Sequence, residues 1–182
     1  MSADLIIRFC APTLAGLKAG SLFNYHYDEG ENVEETIRKQ NRLLNPKGVY
    51  FVLVRVRSGS ALVYVYRKKQ VEQILARPET QKFLREYGYT DFRLEPCLKR
   101  LMERLLMDEF PHDIGVFLDY PLADIQAFIA NKGNNCCALG CWKVYTNVSE
   151  AEKKFRQFKT CTRIYHRCYF EGTDITRLTV AG

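Results

Sequence analysis

The sequence predicts an α/β domain in which helices cover a small mixed sheet of about four to five strands, with an α+β arrangement as the alternative. Three observations lead there. Strand and helix patterns mix along the whole chain, with no linker, repeat or low-complexity stretch between them. Two β-rich runs, Val49–Arg57 and Ala61–Arg67, flank Ser58-Gly59 and read as an antiparallel hairpin over 49–67. Finally, 182 residues with 47% hydrophobic and 13% aromatic content suffice for a packed core, so a single domain over 1–182 is expected rather than a disordered chain.

The elements follow in order. Residues 2–10 suit a short helix with Leu5, Ile6 and Phe9 apolar, and Ala11 to Gly20 reads as a loop carrying Pro12, Gly16 and Lys18. Ser21–His26 is a strand and Asp28–Glu31 a polar turn. Asn32 with Glu35 three residues on is a capping signature, opening a helix that carries Val33, Ile37 and Leu44 on one face. Asn45-Pro46-Lys47-Gly48 stops it. Both hairpin strands are nearly continuously apolar in their middles, which implies that both faces are covered. Lys68–Ala76 and 79–87 are short helices, the second ending at Gly88. From Glu95-Pro96 a longer helix presents Leu98, Leu101, Met102, Leu105 and Leu106 as an apolar stripe.

The stretch 109–145 has the clearest local grammar. Ile114–Leu118 is a short apolar run between turn signals and suits a buried strand. Pro121 opens a helix with Leu122, Ile125, Phe128 and Ile129 inward, and Lys132-Gly133 closes it. Residues 141–146 read as a second strand, so the unit is expected to be strand–helix–strand with a parallel crossover. Ser149 and Glu152 form a capping box for a last long helix, which Gly172 ends. Along it Arg156, Lys159, Arg163 and Arg167 make a basic stripe, and Asp174 to Val180 is a final turn.

Certain segments resemble a known family. Pro111-His112-Asp113 with Leu118-Asp119-Tyr120-Pro121 is similar to a Pro-His-Glu and Leu-Gly-Tyr-Pro motif pair. With Cys10–Lys18 and Cys141–Tyr145, these carry a resemblance to the uncharacterised bacterial family called domain of unknown function 3793, over essentially the whole chain. Asp113 stands where that pattern has Glu. Asp119 stands where it has Gly, which bears on whether the backbone there needs φ > 0; Asp tolerates that region better than most residues. The resemblance implies no activity.

Bulk charge narrows the partners. A formal charge of +6 favours anions in general without the dense footprint of a dedicated nucleic-acid binder. No signal-peptide pattern and no apolar span of about 20 residues is seen, and seven cysteines read as reduced thiols, so a cytoplasmic, non-membrane protein is expected.

Three sites compete, each beside a plain structural reading. In the first and preferred one, a small anionic ligand is held by Thr13 and Lys18, with His112 as donor or proton carrier oriented by Asp113 or Glu109. Otherwise His112 merely caps the preceding helix. The second is a metal or redox site: Cys137 and Cys141 have zinc-ligand spacing, and Cys136 and Cys10 are candidate reactive thiols. Cys161 and Cys168, two turns apart, fit core packing better. The third is a protein- or nucleic-acid-binding face on the 150–170 helix, with Tyr50, Tyr64 and Tyr66 offering rings if the hairpin is exposed; otherwise these are a solvated face and core tyrosines. The sequence specifies neither a reaction nor a cofactor.

Overall fold

The computed structural model describes residues 1–107 and 110–182. It contains a three-stranded antiparallel sheet in the order β1 (Gly20–His26), β3 (Ser60–Arg67), β2 (Val49–Arg57). The central strand β3 is buried along Ala61–Arg67, and its alternating side chains feed two different cores. Leu62, Tyr64 and Tyr66 face one core, and Ala61, Val63 and Val65 face the other. This two-sided burial is why both hairpin strands read as continuous apolar runs rather than as an alternation.

One core is closed by α1 (Ala3–Leu14), α2 (Val33–Leu44), α8 (Val148–Phe170) and α9 (Ile175–Leu178). The other is closed by α3 (Lys68–Leu75), α4 (Pro78–Arg85), α5 (Leu94–Leu105), α6 (Ile114–Phe117) and α7 (Leu122–Ala130). A small third cluster, Trp142, Val144, Ala151 and Phe158, packs the two-stranded ribbon β4 (Ala138–Leu139) and β5 (Lys143–Val144) onto the start of α8. No helix among the described residues is long and apolar enough to cross a membrane.

The α/β class, the 49–67 hairpin and its helical cover are as expected from sequence. The strands, however, sort into two antiparallel sheets rather than one mixed sheet. Two local readings are corrected. Ile114–Phe117 is a helical turn: the Gly115 amide donates to the His112 carbonyl and the Leu118 amide to Ile114. A four-residue run that is buried all round carries no periodicity, so strand and helix look alike there. Only Lys143–Val144 of the 141–146 run is strand, and it pairs antiparallel with Ala138–Leu139; the parallel crossover does not form.

Local chemistry explains the remaining boundaries. Asn32 caps α2 by accepting from the Glu35 amide at 2.9 Å. α8 starts at Val148 with Asn147 as its cap, two residues before the expected Ser149. α1 runs on through Pro12 to Leu14 instead of ending at residue 10. It ends in a Schellman arrangement: the Leu17 amide donates to Pro12 O, the Gly16 amide to Thr13 O, and Gly16 takes φ 75°. The Thr13 and Leu14 carbonyls also accept from the buried Arg67 guanidinium, whose Nη2 reaches Val180 O at 2.8 Å as well.

Two further contacts fix the sheet. Gly20 allows the start of β1 to pass under α6: a Cβ there would lie 2.3 Å from Phe117 O. Tyr64 donates its hydroxyl to that same carbonyl at 2.7 Å. On the outer edge of β2, the Asn41 side chain both donates to Phe51 O (2.9 Å) and accepts from Phe51 N (2.8 Å).

Arg67→Met keeps the apolar stem and deletes the guanidinium, leaving carbonyls of α1 and of the segment after α9 short of a donor. The Thr13 and Leu14 carbonyls keep a backbone donor each, from Gly16 and Val180, so what is lost is the hydrogen bonding to the charged guanidinium. We expect a stability loss of at least about 2 kcal/mol by chemical denaturation, since hydrogen bonds to a charged group contribute ~1.5–3 kcal/mol each. A loss below about 0.5 kcal/mol would mean that the guanidinium is not holding these elements together.

Candidate functional site

The site is built where α6, α7 and the β4–β5 ribbon meet. Two buried carboxylates make the frame. Asp113, fully buried, accepts from Arg104 of α5 through Nε (3.1 and 3.0 Å) and Nη2 (2.9 Å), and from the Tyr89 hydroxyl at 2.6 Å. Burial, and then this carboxylate, push the Tyr89 phenol far above its usual range, so it stays a donor. Asp124, in the first turn of α7, accepts from Trp142 Nε1 (2.8 Å), the amides of Tyr145 (2.9 Å) and Thr146 (2.8 Å), and the Thr146 hydroxyl (2.8 Å). Burial alone would raise its pKa; the donors from Tyr145, Trp142 and Thr146 overcome that and hold it below the usual carboxylate range. Asp124 thereby straps the ribbon to α7.

Between these elements lies a pocket of about 180 Å³, walled by Ile125, Phe128, Tyr120 and Trp142, with His112 and Lys143 contributing polar groups. Gly115 also lines it, and a Cβ there would sit 2.9 Å from Ile125 Cγ1. His112 is exposed and meets Phe128 edge-on, with centroids 4.9 Å apart. Lys143 donates to Gly133 O at 2.7 Å, and its Nζ lies 5.7 Å from the Phe128 ring centre.

The residues expected from sequence are placed as follows. Thr13 is fully buried and its hydroxyl pairs with Ser21 Oγ at 2.9 Å. Asp113 does not orient His112; a carboxylate with no solvent access takes the buried arginine and phenol instead. Glu109 lies outside the described residues. Lys18 is half-buried with Nζ 5.4 Å from the centre of the Tyr120 ring, and it is not a wall of the pocket that His112 lines. Cys136 is half-buried, while Cys137 and Cys141 are exposed on the ribbon. Among the described residues no group of three or more His, Cys, Asp or Glu side chains is arranged to hold a metal ion. Cys10 and Cys161 are buried and Cys168 is half-buried; burial pushes the Cys10 thiol up to about 12, the opposite of what a reactive thiolate needs.

The basic stripe is exposed at Arg156, Lys159, Arg163 and Arg167, with Arg156 paired to Glu152 at 3.6 Å. Tyr64 and Tyr66 are buried in the core and stacked on each other, and the half-buried Tyr50 stacks on Tyr66 and packs against that core.

Tyr120 is where three of the segments that carried the sequence resemblance meet. Lys18 sits over its ring, its hydroxyl donates to Cys141 O at 3.0 Å, and its ring lies 5.2 Å from that of Trp142. Asp119 beside it adopts φ 61°, the left-handed conformation that a glycine would accept freely, and its Oδ2 accepts from the Ala19 amide at 3.4 Å. The family described as "Protein of unknown function (DUF3793)" matches residues 6–179. The chain belongs to this family. No curated protein and no solved structure matches it. Of the residues that line this pocket, only His112 was a candidate site residue from the sequence; Asp124, Phe128 and Lys143 were not anticipated there. The one available signal was an acidic residue in the first turn of a helix, which suits the helix dipole anyway and so points nowhere in particular.

Two outcomes test this frame. Both Asp119→Gly and Asp119→Ala lose the weak Ala19 contact, but only the glycine removes the left-handed strain, so Asp119→Gly should be more stable than Asp119→Ala by about 1 kcal/mol in chemical denaturation. For Asp124 the sign is set by its lowered pKa: the unfolded chain binds the proton more readily. Its stabilisation is therefore complete above the ordinary aspartate value near ~3.9 and is lost as pH falls through the lower folded value. Acid unfolding followed by Trp142 fluorescence should lose this part of its slope in Asp124→Asn; an unchanged slope would remove Asp124 as the strap.

Proposed function

We propose that this protein binds a small ring-shaped organic anion in the pocket between α6, α7 and the β4–β5 ribbon. The observation that carries the reading is the make-up of the pocket: three aromatic walls, Tyr120, Phe128 and Trp142, with the imidazole of His112 and the ammonium of Lys143 among its polar groups. The pocket holds about 180 Å³. Apolar cavities of ~150 Å³ accept a benzene ring, so a single ring fits. Asp124 also reaches the pocket, but donors from Trp142, Tyr145 and Thr146 occupy its oxygens. Lys143 spends one donor on Gly133 O and has two left for an acidic substituent.

This keeps the expected ligand class and His112, and moves the cation from Lys18 to Lys143. Thr13 has no part in it. We place the activity in the cytoplasm, a location that seven unpaired cysteines favour.

Trp142 is the only tryptophan and lines the pocket, so its fluorescence reports occupancy directly. Benzoate, nicotinate and phenyl phosphate are the probes, with benzamide as the uncharged control. At least one anion should shift Trp142 emission saturably and more tightly than benzamide. Lys143→Met should weaken that anion about tenfold, the worth of one charge-assisted hydrogen bond, and leave benzamide alone. No saturable response to any of the three overturns the reading; equal binding of benzoate and benzamide overturns its anionic part.

A further inference from the structure

A second cavity, of about 180 Å³, lies where the first turn of α4 meets residues 119–122 and Lys154 of α8. Two cations, Arg77 and Lys154, and two carboxylates, Glu79 and Asp119, line it, yet among the described residues none of these cations comes within 4 Å of either carboxylate. The start of α4 is open. Arg77 stands at its N-cap, where its side chain has no acceptor to offer, and the amides of Glu79 and Thr80 donate to nothing among the described residues. Thr80 adds an independent observation. It is only 4% exposed, and its hydroxyl has no partner among the described residues, although it is not one of the polar atoms sealed from solvent. A buried hydroxyl ordinarily finds a partner, and the cavity that Thr80 lines is the outlet for this one. The remaining wall is apolar, with Ile74 and Val116 buried and Leu122 half-buried.

We propose that this cavity binds a free α-amino acid with an aliphatic side chain. A simple anion here would sit beside two carboxylates, and a simple cation beside two basic groups; a small zwitterion meets both signs. Its carboxylate belongs at the start of α4, where two amides and the Thr80 hydroxyl can donate and Arg77 and Lys154 supply positive charge. Its ammonium belongs with Asp119, the half-buried carboxylate of the two. One Asp119 oxygen accepts from the Ala19 amide at 3.4 Å, and the other has no partner among the described residues. The apolar wall of Ile74, Val116 and Leu122 takes the side chain and disfavours a charged one, which would lose its water there without a partner. Tyr120 is the one residue this cavity shares with the aromatic pocket, so the two readings stand or fall separately.

The test is calorimetric titration of the whole chain with L-leucine and L-valine. Each is set beside the analogue that lacks its ammonium (4-methylpentanoate, 3-methylbutanoate) and the one that lacks its carboxylate (3-methylbutylamine, 2-methylpropylamine). At least one amino acid should bind saturably and at least about tenfold more tightly than both of its analogues. Thr80→Val, which keeps the shape and deletes the hydroxyl, should weaken it about tenfold, the worth of one hydrogen bond to a charged group. Asp119→Asn should remove the preference over the analogue that lacks the ammonium, and Lys143→Met, in the other pocket, should change nothing. No saturable binding of either amino acid overturns the proposal. So does an analogue that binds as tightly as its amino acid, or binding that survives Thr80→Val unchanged. If Thr80→Val or Asp119→Asn does not fold, Arg77→Met at the exposed mouth decides: it should weaken the amino acid at least about threefold, and unchanged binding overturns the site.

Discussion

The arrangement depends on one buried guanidinium. Arg67 ends the central strand and points into the core shared with α1; among the described residues it pairs with no carboxylate, and its side-chain partners are the carbonyls of Thr13, Leu14 and Val180. The C-terminal end of a helix is the negative end of its dipole, so a cation belongs there, and burial strengthens the attraction. The same contact joins strand, first helix and last turn. It also sets the chain that leaves α1, and with it the positions of Lys18 and of Ala19, whose amide reaches Asp119 on the other side of the sheet. The two cores are thus coupled through a few atoms at the end of β3.

The acidic residues divide the work differently. Asp113 and Asp124 are buried and fully engaged, one by an arginine and a phenol, the other by an indole, two amides and a hydroxyl. Groups so committed position others and do little chemistry themselves. The cations behave oppositely: Lys143 is held by a single carbonyl and Lys18 by none among the described residues. The region around Tyr120 therefore combines a rigid acidic frame with cations that keep donor capacity, an arrangement suited to a ligand that brings its own acceptor.

Legibility in the sequence followed periodicity and local bonding. The 49–67 hairpin, the Asn32 cap and the stripe of α5 were readable because turn chemistry and apolar spacing agree there. Ile114–Phe117 was not, since a short run buried on every side has no phase to read. The end of α1 was hidden by Pro12, a residue that argues for a break where the Schellman closure and Arg67 carry the helix two residues further. The left-handed backbone at 119 could be raised from Asp against Gly, and it is there. What no local pattern could supply were pairings across the chain: Asp113 with Arg104, Asp124 with Trp142, and Thr13 with Ser21. Each side chain had a plausible exposed role until its distant partner was known.

Asn41 has a consequence beyond its two bonds. An edge strand rich in valine and leucine is an open template, ready to recruit a matching strand from a neighbouring molecule. On β2 the carboxamide of Asn41 fills the donor and acceptor of Phe51, imitating one residue of a fourth strand while belonging to a helix that cannot extend the ladder. Past this point the bulge between Leu53 and Arg55 breaks the regular spacing and the strand ends in charged residues. This apolar edge strand is thus guarded near its start by an amide and at its end by cations, and it can stay apolar enough to serve two cores without becoming a seed for fibres.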